Sequence, residues 1–192
     1  MPKTMPKTMR RIVANVFVSL DGVAETPEKW APPLLDDEVK GAIAAQLGGG
    51  DAILLGRRTY QTFAEAFTGD KRDDPFGKQM TATPKYVLSS TLTEADWANT
   101  TLVGDDPAAA VAALKAAEGG DIVVNGSVSV LRWLLERGLL DEVSVMVFPL
   151  VLGSGDRLFP EGTAEIPLAL RSSRAFATGV VQLVYSRAEE GA

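Results

Sequence analysis

The chain contains no cysteine and no histidine. Without cysteine there is no disulfide framework, no thiolate nucleophile and no sulfur ligand for zinc. Without histidine there is no Ser-His-Asp relay, no imidazole acid–base pair and no use of the commonest metal ligand. Long apolar runs are missing as well: none approaches the ~20 residues of a membrane helix. Nor is there a Lys/Arg tract of the kind that marks a nucleic-acid face, and the net charge is −6. Neither a membrane nor a nucleic acid is therefore expected as a partner. Chemistry in such a chain must run on carboxylates, hydroxyls, Lys, Arg, Tyr, backbone amides or a borrowed cofactor. Hydride transfer suits it, because the cofactor carries the reactive bond and the protein mainly positions it.

What is present is enough for one domain. A chain of 192 residues buries roughly 70% of its unfolded surface and needs no staples. The N-terminus, MPKTMPKTMRR, is a polar duplicated tetrapeptide with starts available at Met1, Met5 and Met9. Its positive charge is not followed by an apolar segment, so it does not read as a secretory signal, and a cytoplasmic protein is expected. Residues 1–9 are expected to form a disordered tail and residues 10–188 a single domain.

Short apolar runs alternate with helical patterns. Ile12–Leu20 reads as a strand ending at the turn Asp21-Gly22. Asp36, Asp37 and Glu38 open a helix to about Leu47, with acids at the positive end of its dipole. Asp51–Leu55 is a buried strand, and Arg57 to about Ala66 a helix. The polar stretch 68–83, punctuated by Gly69, Pro75 and Gly77, reads as a mobile loop. Strands at Lys85–Leu88, Thr101–Val103 and Ile122–Val124 flank an Ala-rich helix, Ala108–Ala117. Ser127–Arg137 is amphipathic, with Val130, Leu131, Leu134 and Leu135 on one face. Glu142–Phe148 is a longer strand. Leu168–Phe176 and Val180–Arg187 read as an antiparallel hairpin. The expected fold class is α/β: a mostly parallel, twisted central sheet with helices on both faces and a C-terminal antiparallel hairpin.

Ligands of open α/β sheets bind beyond the carboxyl ends of the strands, and three strands here end in turns suited to phosphate. At Gly56-Arg57-Arg58-Thr59, a glycine admits close approach, a helix start offers free amides, and an arginine supplies a forked cation. Leu88-Ser89-Ser90 is followed by Thr91, giving three successive hydroxyls. Asn125-Gly126-Ser127-Val128 leads directly into a helix, where Ser127 is either part of a pyrophosphate cradle or an ordinary N-cap. The G-x-G-x-x-G fingerprint follows no strand. For proton transfer, Asp21 is either a catalytic acid or a plain turn residue, and Asp36 and Asp37 are either a ring-binding acid at the start of the helix or, the simpler reading, acids that complement its dipole. Trp30 either stacks on a flat substrate or covers the core. Trp133 and the Met146–Phe148 region read as packing, the latter as core or dimer interface.

The ordered segments VSLDG (18–22), LLGRRTY (54–60), VLSST (87–91), VNGSVSVLRWLL (124–135) and LLDEVSVMVFPLVLGSGDRLF (139–159) resemble the dihydrofolate-reductase-like fold. Within it they are most similar to the riboflavin-biosynthesis reductase domain, the C-terminal half of the bifunctional deaminase–reductase. The resemblance runs from Arg11 nearly to the end. It implies NADPH as hydride donor, a heterocyclic or ribosylaminopyrimidine-type substrate, and a homodimer. Gly56, Arg57, Arg58 and Thr59 would hold cofactor phosphates. Leu88, Ser89 and Ser90 would lie near the adenosine ribose and its 2′-phosphate, and Asn125, Gly126, Ser127 and Val128 at the pyrophosphate. Asn15, Val18, Ser19, Asp21, Gly22 and Trp30 would line the nicotinamide and substrate side, closed by the loop with Pro149, Leu152 and Gly153. Related proteins often carry Gly-Gly where this chain has Asn125-Gly126, and no deaminase domain with its zinc ligands is expected before the reductase. The readings kept beside this one are a dihydrofolate reductase, a flavin-binding groove, and a nucleotide-binding protein without hydride chemistry.

Overall fold

The short apolar runs become strands. The computed structural model describes residues 9–68 and 75–188. Its strands are β1 (Ile12–Ser19), β2 (Gly50–Gly56), β3 (Lys85–Leu88), β4 (Thr100–Val103), β5 (Asp121–Asn125), β6 (Glu142–Phe148), β7 (Leu168–Ala175) and β8 (Val181–Arg187). They form one sheet in the order β4-β3-β2-β5-β1-β6-β8-β7. Every pairing from β4 to β6 is parallel. The closing hairpin, β7 and β8, is antiparallel and joins the sheet along β6. Residues 1–8 of the expected N-terminal tail lie outside the described residues.

The helices are α1 (Pro27–Trp30), α2 (Asp37–Leu47), α3 (Arg57–Phe67), α4 (Pro75–Ala82), α5 (Pro107–Ala116) and α6 (Val128–Glu136). Steps from β1 through β4 move one way across the sheet; steps from β4 through β6 move back. Crossovers are right-handed almost without exception, so the two directions send their helices to opposite faces. The core divides accordingly. Alternate residues of β1 (Ile12, Ala14, Val16, Val18) pack with Val111 of α5 and with Val130, Leu131, Leu134 and Leu135 of α6. On the opposite face, Val39 of α2 packs with Met146, Phe148 and Phe17. Tyr60 of α3 and Met80 of α4 pack there with Ile53, Leu55 and Trp97.

One segment differs from the sequence expectation. Residues 75–82, read as part of a mobile loop, form α4; residues 69–74 lie outside the described residues. Pro75 and Gly77 hid this helix, and its stability is tertiary. Phe76 meets the Phe67 ring edge-on at 5.4 Å, and Met80 is buried. Lys85, the first residue of β3 and fully buried, closes its C-terminal end. The ammonium donates to the carbonyls of Met80, Thr81 and Thr83 and lies 4.3 Å from the centre of the Trp97 ring. Burial pushes its pKa down to about 8, while the carbonyl dipoles and the ring face oppose that shift.

The topology also fixes where a ligand can sit. β2 and β5 are neighbours, yet their following helices, α3 and α6, leave to opposite faces. A crevice must open at that switch point, at the carboxyl ends of β2 and β5.

Candidate active site

Gly56 and Gly126 stand at that switch point, one at the end of β2 and one after β5. A Cβ on Gly56 would lie 3.3 Å from Val130 Cγ2 and 3.4 Å from Ser129 Oγ, so the glycine lets α6 approach the strand end. Gly126 has φ +65°, a left-handed conformation that other residues adopt at a cost. Ser127 is buried, and its Oγ accepts the Gly56 N–H at 3.1 Å. It makes no cap bond to its own helix. Its side chain ties the two turns together and does not line the groove above them.

A groove of about 790 Å³ runs over these turns. All the residues expected to hold a cofactor line it, except Asn125 and Ser127. The β3 turn holds its own shape: Ser89 Oγ accepts from the amides of Thr91 and Leu92. Arg57 reaches across to donate to Thr91 Oγ1 at 3.0 Å. Thr59 Oγ1 lies 3.5 Å from the Gly126 carbonyl.

Arg132 also lines the groove, and sequence reasoning missed it. It sits one helical turn beyond Val128, so the i, i+4 spacing carried the signal. The ion pairs among the described residues involve Arg10, Arg11, Lys115, Arg137, Arg157 and Arg174. Arg57, Arg58 and Arg132 are in none of them. Three guanidiniums without carboxylate partners thus line one groove, together with the carboxylates Glu25, Glu28 and Asp156; the arginines suit a ligand carrying several negative charges.

The residues expected on the substrate side are not gathered in this way. Val18 points into the α5/α6 core and is 5% exposed. Ser19 is buried, donating to Asp21 Oδ1 at 2.6 Å and accepting the Val23 N–H. Gly22 closes the same turn with φ +83°. Trp30 covers the core: its ring meets Phe148 edge-on at 5.3 Å, and its indole N–H donates to the Glu25 carbonyl. Asp36 caps α2, accepting the Val39 N–H at 2.8 Å. Trp133 and the Met146–Phe148 segment are packing residues.

Of the two roles expected for Asp21, the geometry favours the turn. Its carboxylate accepts from the Ser19 hydroxyl and from the backbone amides of Leu152 and Gly153 at 3.1 and 2.9 Å. Arg157 donates to its backbone carbonyl. Hydrogen bonds from Ser19, Leu152 and Gly153 hold its pKa down to about 2. A carboxyl ionised down to that pH has no proton to give at neutrality. Asp21 is an anchor: it clamps the loop carrying Pro149, Leu152 and Gly153 to the end of β1, and these three loop residues do not line the groove.

A second cavity, about 250 Å³, lies on the α2 face of the sheet. Asn15, Gln46, Ser144 and Gln182 line it.

The sheet order, the closing hairpin and the crevice at the switch point define a dihydrofolate-reductase-like fold. The solved structure of dihydrofolate reductase from Enterococcus faecalis, complexed with NADP(H) and RAB-propyl, superposes with a TM-score of 0.62 at 16% identity, covering 93% of this chain and 97% of that one. The chain belongs to the RibD C-terminal domain family, whose model matches residues 10–182. YyaP, an uncharacterized protein of Bacillus subtilis (strain 168), is 32% identical over 92% of this chain and 94% of its own length. A Shewanella sp. PV-4 protein described as a riboflavin biosynthesis protein has a crystal structure with a TM-score of 0.75 at 24% identity, covering 93% of this chain and 99% of that one. No helix among the described residues is long and apolar enough to cross a membrane.

Proposed function

We propose that the protein is an NADPH-dependent reductase that transfers a hydride to a small heterocyclic or ribosylaminopyrimidine-type substrate. The observation that carries this reading is the single groove on which three strand-end turns, two of them leading into helices, and three arginines without carboxylate partners converge. Family membership supports it. Arg57, Arg58 and Thr59 would hold cofactor phosphates, with Ser89 and Ser90 toward the adenosine ribose. The turn at Gly126 and Val128 suits the pyrophosphate, whose charge the start of α6 favours. Arg132 stands at the end of the row nearer β1, where it would meet an anionic group beyond the pyrophosphate. NADPH supplies the hydride when bound.

The chain's own residues bind and orient. Asp21 holds the loop at residues 150–153 against β1 as a fixed anion, so the proton that completes the reduction comes from water.

The test is a titration of the protein with NADPH, followed by the loss of absorbance at 340 nm with 5-amino-6-ribosylaminouracil 5′-phosphate or with dihydrofolate. Turnover of the aminouracil substrate is expected. Faster turnover of dihydrofolate would reverse the ranking, and NADPH binding without turnover of either would point to a nucleotide-binding protein.

A further inference from the structure

The 790 Å³ groove changes charge along its length. Sheet order sets the sequence of its walls: the β3 turn, the β2 turn with Arg57 and Arg58, the start of α6 after β5, and last the segments that follow β1 and β6. The first three walls offer hydroxyls, helix-start amides and arginines. The last offers Glu25, Glu28 and Asp156. These three carboxylates are exposed, and none of them is in an ion pair among the described residues.

The carboxylate wall is held in place by its own backbone. The Ala24 N–H donates to the Asp156 carbonyl, and the Asp156 N–H donates to Glu25 Oε2 at 3.2 Å. Val23 and Arg157 form a β-bridge beside them. Arg132 is the last cation of the row and leans on the same segment, donating to the Arg157 carbonyl at 3.2 Å. Arg157 itself donates to the Asp21 carbonyl and does not line the groove. One arginine therefore stands against three carboxylates at this end.

That balance discriminates between ligands. A phosphate brought against the wall gives up hydration and meets like charge, which costs affinity. A hydroxyl or an amine finds carboxylate oxygens ready to accept charge-assisted hydrogen bonds. On the reductase reading the cofactor's phosphates take the first three walls, so the carboxylate wall falls to the acceptor.

We propose that this end of the groove selects an acceptor whose arm carries hydroxyl or amine groups and no phosphate, with Glu28 and Asp156 as the specificity-determining residues. The proposal rests on the reductase reading for the assignment of this end to the acceptor. Its test is calorimetric titration of the full chain, with and without saturating NADP+, with 5-amino-6-ribosylaminouracil and with its 5′-phosphate. The two ligands differ only in the charged group. The wild type is expected to bind the phosphate-free form about tenfold more tightly or better. The gap should narrow as salt is raised, because exposed charges are screened. In Glu28→Lys and Asp156→Lys the phosphate form is expected to gain about threefold or more, while the phosphate-free form gains nothing. Should a lysine variant fail to fold, Glu28→Gln or Asp156→Asn replaces it, with a smaller gain in the same direction.

Equal binding of the two forms, binding of neither, or tighter binding of the phosphate would overturn the proposal. If Arg132→Ala abolished that tighter binding, the arm would belong to Arg132. Lysine variants that leave the phosphate form unchanged but weaken NADP+ relative to NADPH would overturn it too, placing the carboxylates at the cationic ring of the oxidised cofactor. A wild type that prefers the phosphate-free form but does not bind NADPH would sink the reductase reading and leave the charge selection standing.

Discussion

The two faces of β1 and β5 are made from the same strands and do different work. Toward α5 and α6, Ile12, Ala14, Val16, Ile122 and Val124 form a dry layer, each at most 3% exposed. Toward α2, the intervening positions hold Asn15 and Asn125, 7% and 3% exposed, sharing one hydrogen bond and otherwise short of hydrogen-bond partners. Strand alternation makes this possible, because a change at one position leaves the opposite face untouched. One face supplies stability. The other carries polar groups that stability alone would not retain.

The largest effect should come from breaking the dry face. Leu134 is fully buried between α6 and the sheet. Leu134→Ala is expected to cost about 2–5 kcal/mol, lost transfer energy plus the cavity left behind, as measured by urea denaturation. Cofactor titration of the folded variant should be unchanged. A loss below about 1 kcal/mol would mean that this layer is loosely packed and that the contrast between the faces is overstated.

Next come the arginines at the groove. If Arg57 or Arg58 reads the 2′-phosphate, replacing that arginine by alanine removes a charge-assisted contact worth about 1.5–3 kcal/mol, or roughly ten- to hundredfold in affinity. The measurement is NADPH against NADH. Equal weakening of both cofactors would move the contact from the 2′-phosphate to the pyrophosphate.

The contrast between the faces also sets what the sequence could reveal. Periodicity located the strands, because alternating Val, Ile and Leu carry the burial pattern locally. It located α6 through Val130, Leu131, Leu134 and Leu135. α4 escaped because Pro75 and Gly77 look like breakers, while its partners, Phe67, Trp97 and Lys85, come from other elements. The phosphate-type turns were legible because glycine and hydroxyl residues at strand ends are local signals. Asn15 was legible only through a family resemblance, and its pairing with Asn125 requires knowing that β5 lies beside β1. The two readings of Asp21 could not be separated in the sequence because the amides of Leu152 and Gly153 that depress its pKa come from a distant loop.

Asp21 offers a smaller, pH-gated effect. Its folded pKa is about 2 against an ordinary 3.8, so the stability it contributes is present above pH ~4 and lost as pH falls through ~2. Asp21→Asn should flatten the acid limb of an unfolding curve between those values. It should also loosen the loop at 150–153, seen as faster amide exchange at Leu152 and Gly153. An unchanged acid limb would remove the anchoring role.

The smallest effect separates the faces most sharply. Replacing one asparagine of the pair by leucine strips the other of its remaining bond and should cost about 1–3 kcal/mol. Replacing both removes the shared bond and both orphaned atoms together, which can be nearly neutral. The Asn15→Leu/Asn125→Leu double variant is therefore expected within about 1 kcal/mol of the wild type, less destabilised than either single variant. That strong non-additivity, read from thermal and urea unfolding without ligand, would show that the pair is not kept for folding. A double variant that loses as much as Leu134→Ala would make the α2 face a core like its opposite, and the comparison would fail.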